Sequence, residues 1–423
     1  PGTPSSIMTT FDGHPMAEKG EAGKALSLGI NASLIGGLVG GFFLIALSPS
    51  LSDLALKIGP WEEFTIILMA MVLIAVISQG NMAKGLFAGL LGMCATLPGK
   101  NPASGQIRFT FGFENVQEGF DLLAVLLGIF VMSQLINDVL NINRKSSQIE
   151  LTKSSLFMRF GEWKSHTVNL LRSSCIGTWV GILPGVGASI SSMVAYGMAK
   201  TFSRTPEKFG TGHDEGVVAS EAANNANVGG ALIPLITLGI PGAPVDALLL
   251  GAMIIHNIQP GPLLFENNPD LVWGLMAGYM VANILMYVIM IFSARHLAKI
   301  INVRQLYLIP VVLVFCVIGA YVVNFRLFDV WTFLVFGILG TVLTHFKVPV
   351  GPFVIGFILA EKLETQLYSG LQTSGGSFMP LLTQPIALFF MFISLLLLVY
   401  PIVAQKRRAL ADNDNTPTLE GSS

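Results

Sequence analysis

Long apolar runs separated by short polar joints set the pattern of this chain. A membrane-spanning helix needs about 20 mostly apolar residues. Eight stretches approach that length: Ala25 to Leu47, Phe64 to Gln79, Leu86 to Thr96 with its flanks, Phe120 to Leu140, Leu271 to Phe292, Leu306 to Val323, Trp331 to His345 and Ile386 to Val403. Phe353 to Leu363 is shorter and reads as a half-span. Apolar residues cover most faces of these segments, so helical periodicity is weak, as expected for helices surrounded by lipid and protein. The pattern predicts an all-α membrane protein, a polytopic helical bundle.

The middle of the chain, Thr167 to Phe265, is apolar but interrupted by Gly, Pro, Asn and Ser. Gly181-Ile182-Leu183-Pro184-Gly185-Val186-Gly187 splits one run, and Leu238-Gly239-Ile240-Pro241-Gly242-Ala243-Pro244 splits another. Short, Gly/Pro-broken hydrophobic segments point to a transporter binding site, and duplicated halves commonly carry it at their interface. A repeat of that kind is visible here. Pro1-Gly2-Thr3-Pro4 resembles Pro241-Gly242-Ala243-Pro244, and a polar Gly/His/Pro cluster and a series of apolar spans follow each. We therefore expect two similar halves with broken or re-entrant helices: 1–143 as the remainder of a first repeat and 166–404 as the second, joined by a linker, 144–165. The linker region carries Arg144, Lys145, Lys153, Arg159 and Lys164, which places it in the cytoplasm by the positive-inside rule. Within it, Ser154 to Trp163 is a candidate interfacial helix. Lys406, Arg407 and Arg408 put the polar C-terminal tail, 405–423, on the same side, with disorder expected from Ala411 onward.

Composition removes whole classes of function. Of 423 residues 52% are hydrophobic and 12% charged, against about 25% charged in soluble domains. Such a chain cannot coat a soluble fold of its size, so membrane lipid is its medium. A net charge of −1 lacks the basic footprint that nucleic acid requires. Cys94, Cys175 and Cys316 lie far apart in apolar surroundings and read as small buried hydrophobes, with no disulfide or metal-ligand spacing. His14, His213 and His256 have no spaced partner. Nucleotide-binding and nucleophile-elbow motifs are absent. No cofactor and no enzymatic activity is expected.

Three stretches can carry chemistry. Pro184 to Ser192 joins a breaker to three hydroxyls. A helix restarting near Gly187 presents free N–H groups to an anion, glycine lets a carboxylate approach the backbone, and Ser189 adds a hydroxyl. The alternative is close helix–helix contact of small residues. Ser220 to Asn227 places Glu221, Asn224 and Asn225 at the head of an apolar run, where they are costly unless they face a cavity, an ion or each other. The alternatives are a polar loop with Asn as a helix cap, or, for Glu221, a structural pairing with a lysine. Around Pro241 and Gly242, two prolines expose carbonyls that can hold a cation, with Thr237 before the break and Asp246 after it. Asp246 in a first helical turn is equally suited to plain capping.

At these residues the chain resembles the large membrane subunit of the tripartite tricarboxylate transporter family. The resemblance rests on GILPGVGAS (Gly181 to Ser189), KFGTG (Lys208 to Gly212), Glu215-Gly216-Val217 and EAANNANVGG (Glu221 to Gly230). It continues through LITLGIPG (Leu235 to Gly242), Leu250-Gly251-Ala252, QPGPLL (Gln259 to Leu264) and Arg108-Phe109-Thr110-Phe111-Gly112. Pro1 to Ser5 and Phe11 to Ala17 look like the first-half motif of the same family. It implies that an N-terminal part of the usual protein, with the first copy of the Leu183-Pro184-Gly185 break, precedes Pro1. Ser220 departs from the family's usual proline, and Ala243 and Asp246 from its small hydroxyl residues. The resemblance implies a substrate site at Gly2, Thr3, Ser5, Pro184, Gly185, Gly187, Ser189, Pro241 and Gly242, and ion contacts at Asn224, Asn225 and Thr237. Glu221, Asp246 and Asp12 are further polar candidates. It also implies a periplasmic solute-binding protein, a small transmembrane subunit, a location in the bacterial inner membrane, and uptake of tricarboxylates such as citrate driven by an ion gradient, sodium, rather than ATP.

Three other readings compete with this one. The large subunit of a related dicarboxylate transporter is the nearest. An ion channel is expected to show a filter repeated by oligomer symmetry, rather than two differently broken helices. A lipid-processing membrane enzyme needs clustered catalytic groups, for which only Lys208 to Glu215 offers material.

Overall fold

The computed structural model describes residues 4–77, 82–101, 104–140, 158, 160–184, 187–300 and 305–414. A 3-10 turn, Pro4–Ser6, leads into α1 (Ile7–Glu18), α2 (Ala22–Ala55), α3 (Pro60–Ile77) and α4 (Met82–Ala95). A two-residue antiparallel ladder, β1 (Gly99–Lys100) with β2 (Ile107–Arg108), follows. One continuous helix comes next, made of α5 (Leu122–Leu126), a π-helical stretch (Leu127–Met132) and α6 (Ser133–Leu140). The second set comprises α7 (Phe160–Ile182), α8 (Gly187–Phe202), α9 (Asp214–Leu238), α10 (Pro244–Ile255), α11 (Leu263–Asn267) and α12 (Pro269–Ile300). It closes with α13 (Gln305–Val322), α14 (Leu327–His345), α15 (Val350–Thr373), α16 (Pro380–Thr383) and α17 (Pro385–Asp414). The fold is all-helical, as expected. Ala22–Ala55, Leu122–Leu140, Pro269–Ala294 and Leu327–His345 are long and apolar enough to cross a membrane, and several shorter apolar helices accompany them.

Several expectations change. The half-span at Phe353 to Leu363 is the core of a 24-residue helix, α15. Its charged residues lower its hydropathy, but partners on other elements take up Lys362 and Glu364. Phe160 to Trp163 opens α7 instead of forming a separate interfacial helix, and Met158 is buried against α1, α2, α7 and α9; 154–157 and 159 lie outside the described residues, as do 415–423 of the tail. The cysteines are free, but none is buried: Cys94 is exposed and the other two are intermediate.

Helix α9 is the axis of the bundle and is buried along most of its length. Small residues let its neighbours come close, the usual basis of helix association in lipid. A Cβ on Gly40 of α2 would sit 2.6 Å from the Ala226 carbonyl, and one on Gly177 of α7 would sit 2.7 Å from the Ala223 Cα. Around this axis, Leu44, Leu232, Ile236, Met253 and Val272 join α2, α9, α10 and α12 in one apolar core. A second core, including Val125, Ile129, Phe336 and Phe353, joins α4, the π-containing helix, α14 and α15.

Candidate functional site

Both predicted breaks are present. Helix α7 ends at Ile182 and α8 begins at Gly187; Pro184 is buried, and Gly185 and Val186 lie outside the described residues. Gly187 adopts φ +71°, a left-handed conformation that favours glycine. Among the described residues, its chain neighbours aside, no atom lies within 4 Å of where its Cβ would be. The first turn of α8 carries no acidic side chain, so its free N–H groups and positive dipole end face no carboxylate of their own turn. Ser191 and Ser192 are buried and tie α8 to α9: the Ser191 hydroxyl donates to the Ala223 carbonyl at 3.2 Å, and the Ser192 hydroxyl to the Ser220 carbonyl at 3.2 Å. Ser189 makes no hydrogen bond to the described residues and remains available to a ligand.

The second break is closed on itself. The Gly239 N–H donates to Leu235 O at 3.0 Å and the Ile240 N–H to Pro234 O at 3.2 Å. The Gly261 N–H, from the Gln259 to Pro262 turn, donates to Ile236 O at 3.0 Å. Lys362 of α15 donates its ammonium to Leu238 O. The Pro234, Leu235, Ile236 and Leu238 carbonyls leading into the break are therefore occupied by protein donors. Thr237 is also spoken for, with its buried hydroxyl on Ile233 O at 2.7 Å. It stands about 18 Å along the helix from Asn225, at 1.5 Å rise per residue. Asn224, Asn225 and Thr237 thus do not form one ion site.

The two breaks meet. A Cβ on Gly242 would lie 2.7 Å from the Ala231 Cβ and 3.2 Å from the Gly181 carbonyl. Gly242 lets the α9–α10 bend seat directly against the end of α7. Asp246, in the first turn of α10, is buried, and its Oδ2 has no hydrogen-bond partner among the described residues.

Ser220 to Asn227 lies well inside α9, six residues and more beyond its start at Asp214, so the helix-cap alternative fails. Glu221 pairs with no lysine among the described residues. Its carboxylate accepts from the Thr9 hydroxyl at 2.7 Å and the Ser33 hydroxyl at 3.2 Å. Asn225 donates to the Ser33 hydroxyl at 2.8 Å. Asn224 is half-buried and makes no side-chain hydrogen bond to the described residues. Ser5 lies in the turn Pro4–Ser6, which packs against α8 and α9; Gly2 and Thr3 lie outside the described residues.

Asp12 has a structural duty. One oxygen accepts the backbone N–H groups of Gly210, Gly212 and His213 at 2.9, 2.9 and 2.8 Å, and the other accepts the Tyr196 hydroxyl at 2.9 Å. It fixes the KFGTG loop.

Sequence reasoning missed the charges on α15. Lys362 pairs with Glu63 of α3 at 2.8 Å, and Gln366 supports the same carboxylate at 2.8 Å. Glu364 takes both guanidinium nitrogens of Arg108 at 2.6 Å and the Asn101 amide at 2.9 Å. That carboxylate pushes the Arg108 guanidinium above its ordinary pKa, in the loop outside the spans. The available signal was ionisable residues inside an apolar run, which are costly unless partnered. Thr9 and Ser33 gave no local signal.

A multi-pass helical bundle whose central helices break at glycine and proline, and whose breaks abut, has the build of a membrane transporter. The comparisons agree. The Tripartite tricarboxylate transporter TctA family matches residues 1–355, and the chain belongs to that family. An uncharacterized 52.8 kDa protein in the TAR-I ttuC' 3' region of Agrobacterium vitis is 32% identical over 407 residues, which is 96% of this chain and 81% of that protein. A second uncharacterized Agrobacterium vitis protein, in the TAR-II ttuC' 3' region, is 36% identical over 234 residues, 55% of this chain and 97% of its own length. No solved structure matches the chain.

Proposed function

We propose that this chain is the large membrane subunit of a binding-protein-dependent secondary transporter that imports tricarboxylates such as citrate across the bacterial inner membrane. In this reading a periplasmic solute-binding protein delivers the substrate, a small transmembrane subunit accompanies the chain, and an ion gradient, sodium, drives uptake. One observation carries the reading: the α8 N-terminus opens at Gly187 with clear space and no acidic residue in its first turn, beside the polar face of α9. Backbone N–H groups there, with Ser189 and Asn224, suit a carboxylate. The seam between the two breaks, at Gly242 and Gly181, supplies two packed elements that can shift against each other during alternating access.

The test is uptake of labelled tri- and dicarboxylates by vesicles containing the chain and its small subunit, with the cognate binding protein and an imposed sodium gradient. Uptake that needs both the binding protein and the gradient supports the reading. Uptake of dicarboxylates alone reassigns the substrate, and uptake without the binding protein removes the tripartite arrangement.

A further inference from the structure

We propose that Glu221, Thr9, Ser33, Ser220 and Asn225 form a binding site for one monovalent alkali cation, at which α1, α2 and α9 are held together. The proposal rests on the reading of the chain as an ion-driven transporter and locates the ion in a different place from the helix break expected to hold it. Side-chain oxygens from three helices converge here across long sequence separations. Thr9 Oγ1 lies 2.7 Å from Glu221 Oε1 and 3.0 Å from Ser220 Oγ, and Ser33 Oγ lies 3.2 Å from Glu221 Oε2. Asn225 approaches from one turn along α9 and places its amide 2.8 Å from Ser33 Oγ.

Charge decides the class of ligand. Hydroxyl groups engage both carboxylate oxygens, an arrangement suited to an ionised Glu221. No Lys, Arg or His side chain among the described residues forms an ion pair with it. A single negative charge set among neutral hydroxyl oxygens matches one hard monovalent cation; a divalent ion would leave excess charge. The hydroxyl donors can rotate away so that their lone pairs face the ion.

The position of the site explains how an ion at this point can act on substrate. Ser192 and Ser191 fasten α8 to Ser220 and Ala223, the carbonyls flanking Glu221 on α9. The α8 N-terminus, where the carboxylate is placed, therefore rests on the same turns of α9 that hold the cation.

The experiment is equilibrium binding of radioactive sodium to the purified, monodisperse full chain in lipid nanodiscs, without carboxylate, with potassium and lithium as competitors. Saturable binding is expected for the wild type. Glu221→Gln is expected to weaken it at least tenfold, and Thr9→Val and Ser33→Ala several-fold each. Unchanged sodium affinity in Glu221→Gln overturns the site. So does absence of alkali-cation binding in wild type together with pH-gradient-driven uptake that Glu221→Gln abolishes, which would make Glu221 a proton carrier. If Glu221→Gln is not monodisperse, the Thr9→Val and Ser33→Ala titrations decide by the same criterion. Carboxylate uptake by wild type with its binding protein is scored separately. Sodium binding without any carboxylate uptake would sink the transport reading and leave the cation site standing.

Discussion

Gly187→Ala separates an anion cradle from helix packing more sharply than any other change at this site. Alanine in the left-handed conformation that Gly187 holds costs about 1–2 kcal/mol. The new methyl meets no atom within 4 Å among the described residues beyond its chain neighbours, so the stability loss should stay within that strain. A ligand carboxylate on the α8 N–H groups must come within about 2.7–3.2 Å, and the methyl stands beside that approach. Losing one charge-assisted hydrogen bond removes about 1.5–3 kcal/mol, a fall in affinity of about ten- to a hundredfold. Gly242→Ala provides the contrast. Its methyl would lie 2.7 Å from the Ala231 Cβ, an overpacking that costs about 1–3 kcal/mol and should show as lower folded yield. Citrate binding and thermal unfolding are measured on monodisperse protein for both variants. Wild-type affinity in Gly187→Ala, alongside a clear loss of thermal stability, would refute the cradle and return the glycine to a purely conformational role.

Asn224→Ala should lower uptake at matched membrane abundance with little change in thermal stability, since no hydrogen bond to the described residues is lost; equal uptake rates would discount Asn224. Thr237→Val should leave the ion dependence of uptake unchanged, because its hydroxyl is bound to Ile233 O; an altered ion dependence would restore Thr237 as a ligand. Asp12→Ala strands three backbone N–H groups and the Tyr196 hydroxyl, and should destabilise by about 2–4 kcal/mol, with faster proteolysis at residues 203–213 as the check. Lys362→Met removes the donor to Leu238 O and the partner of Glu63. A loss of about 1–3 kcal/mol is expected, and a thermal unfolding midpoint equal to wild type would contradict it.

Local chemistry fixed the all-helical class and the two break points. Hydropathy is a property of a short window, and proline removes a donor wherever it stands, so Leu183-Pro184 and Pro241-Gly242 announced themselves. The same window misjudged α15: Glu361, Lys362 and Glu364 shorten the apolar run, and only Glu63 and Arg108, far away in the chain, show why the helix continues. Asp12 and Glu221 looked alike as polar candidates. Packing separates them, because one meets the N–H groups of a loop 200 residues away and the other meets hydroxyls on two different helices. The role of a buried polar group is set by what faces it, and in a helical membrane protein that is decided by which helices the small residues allow to touch.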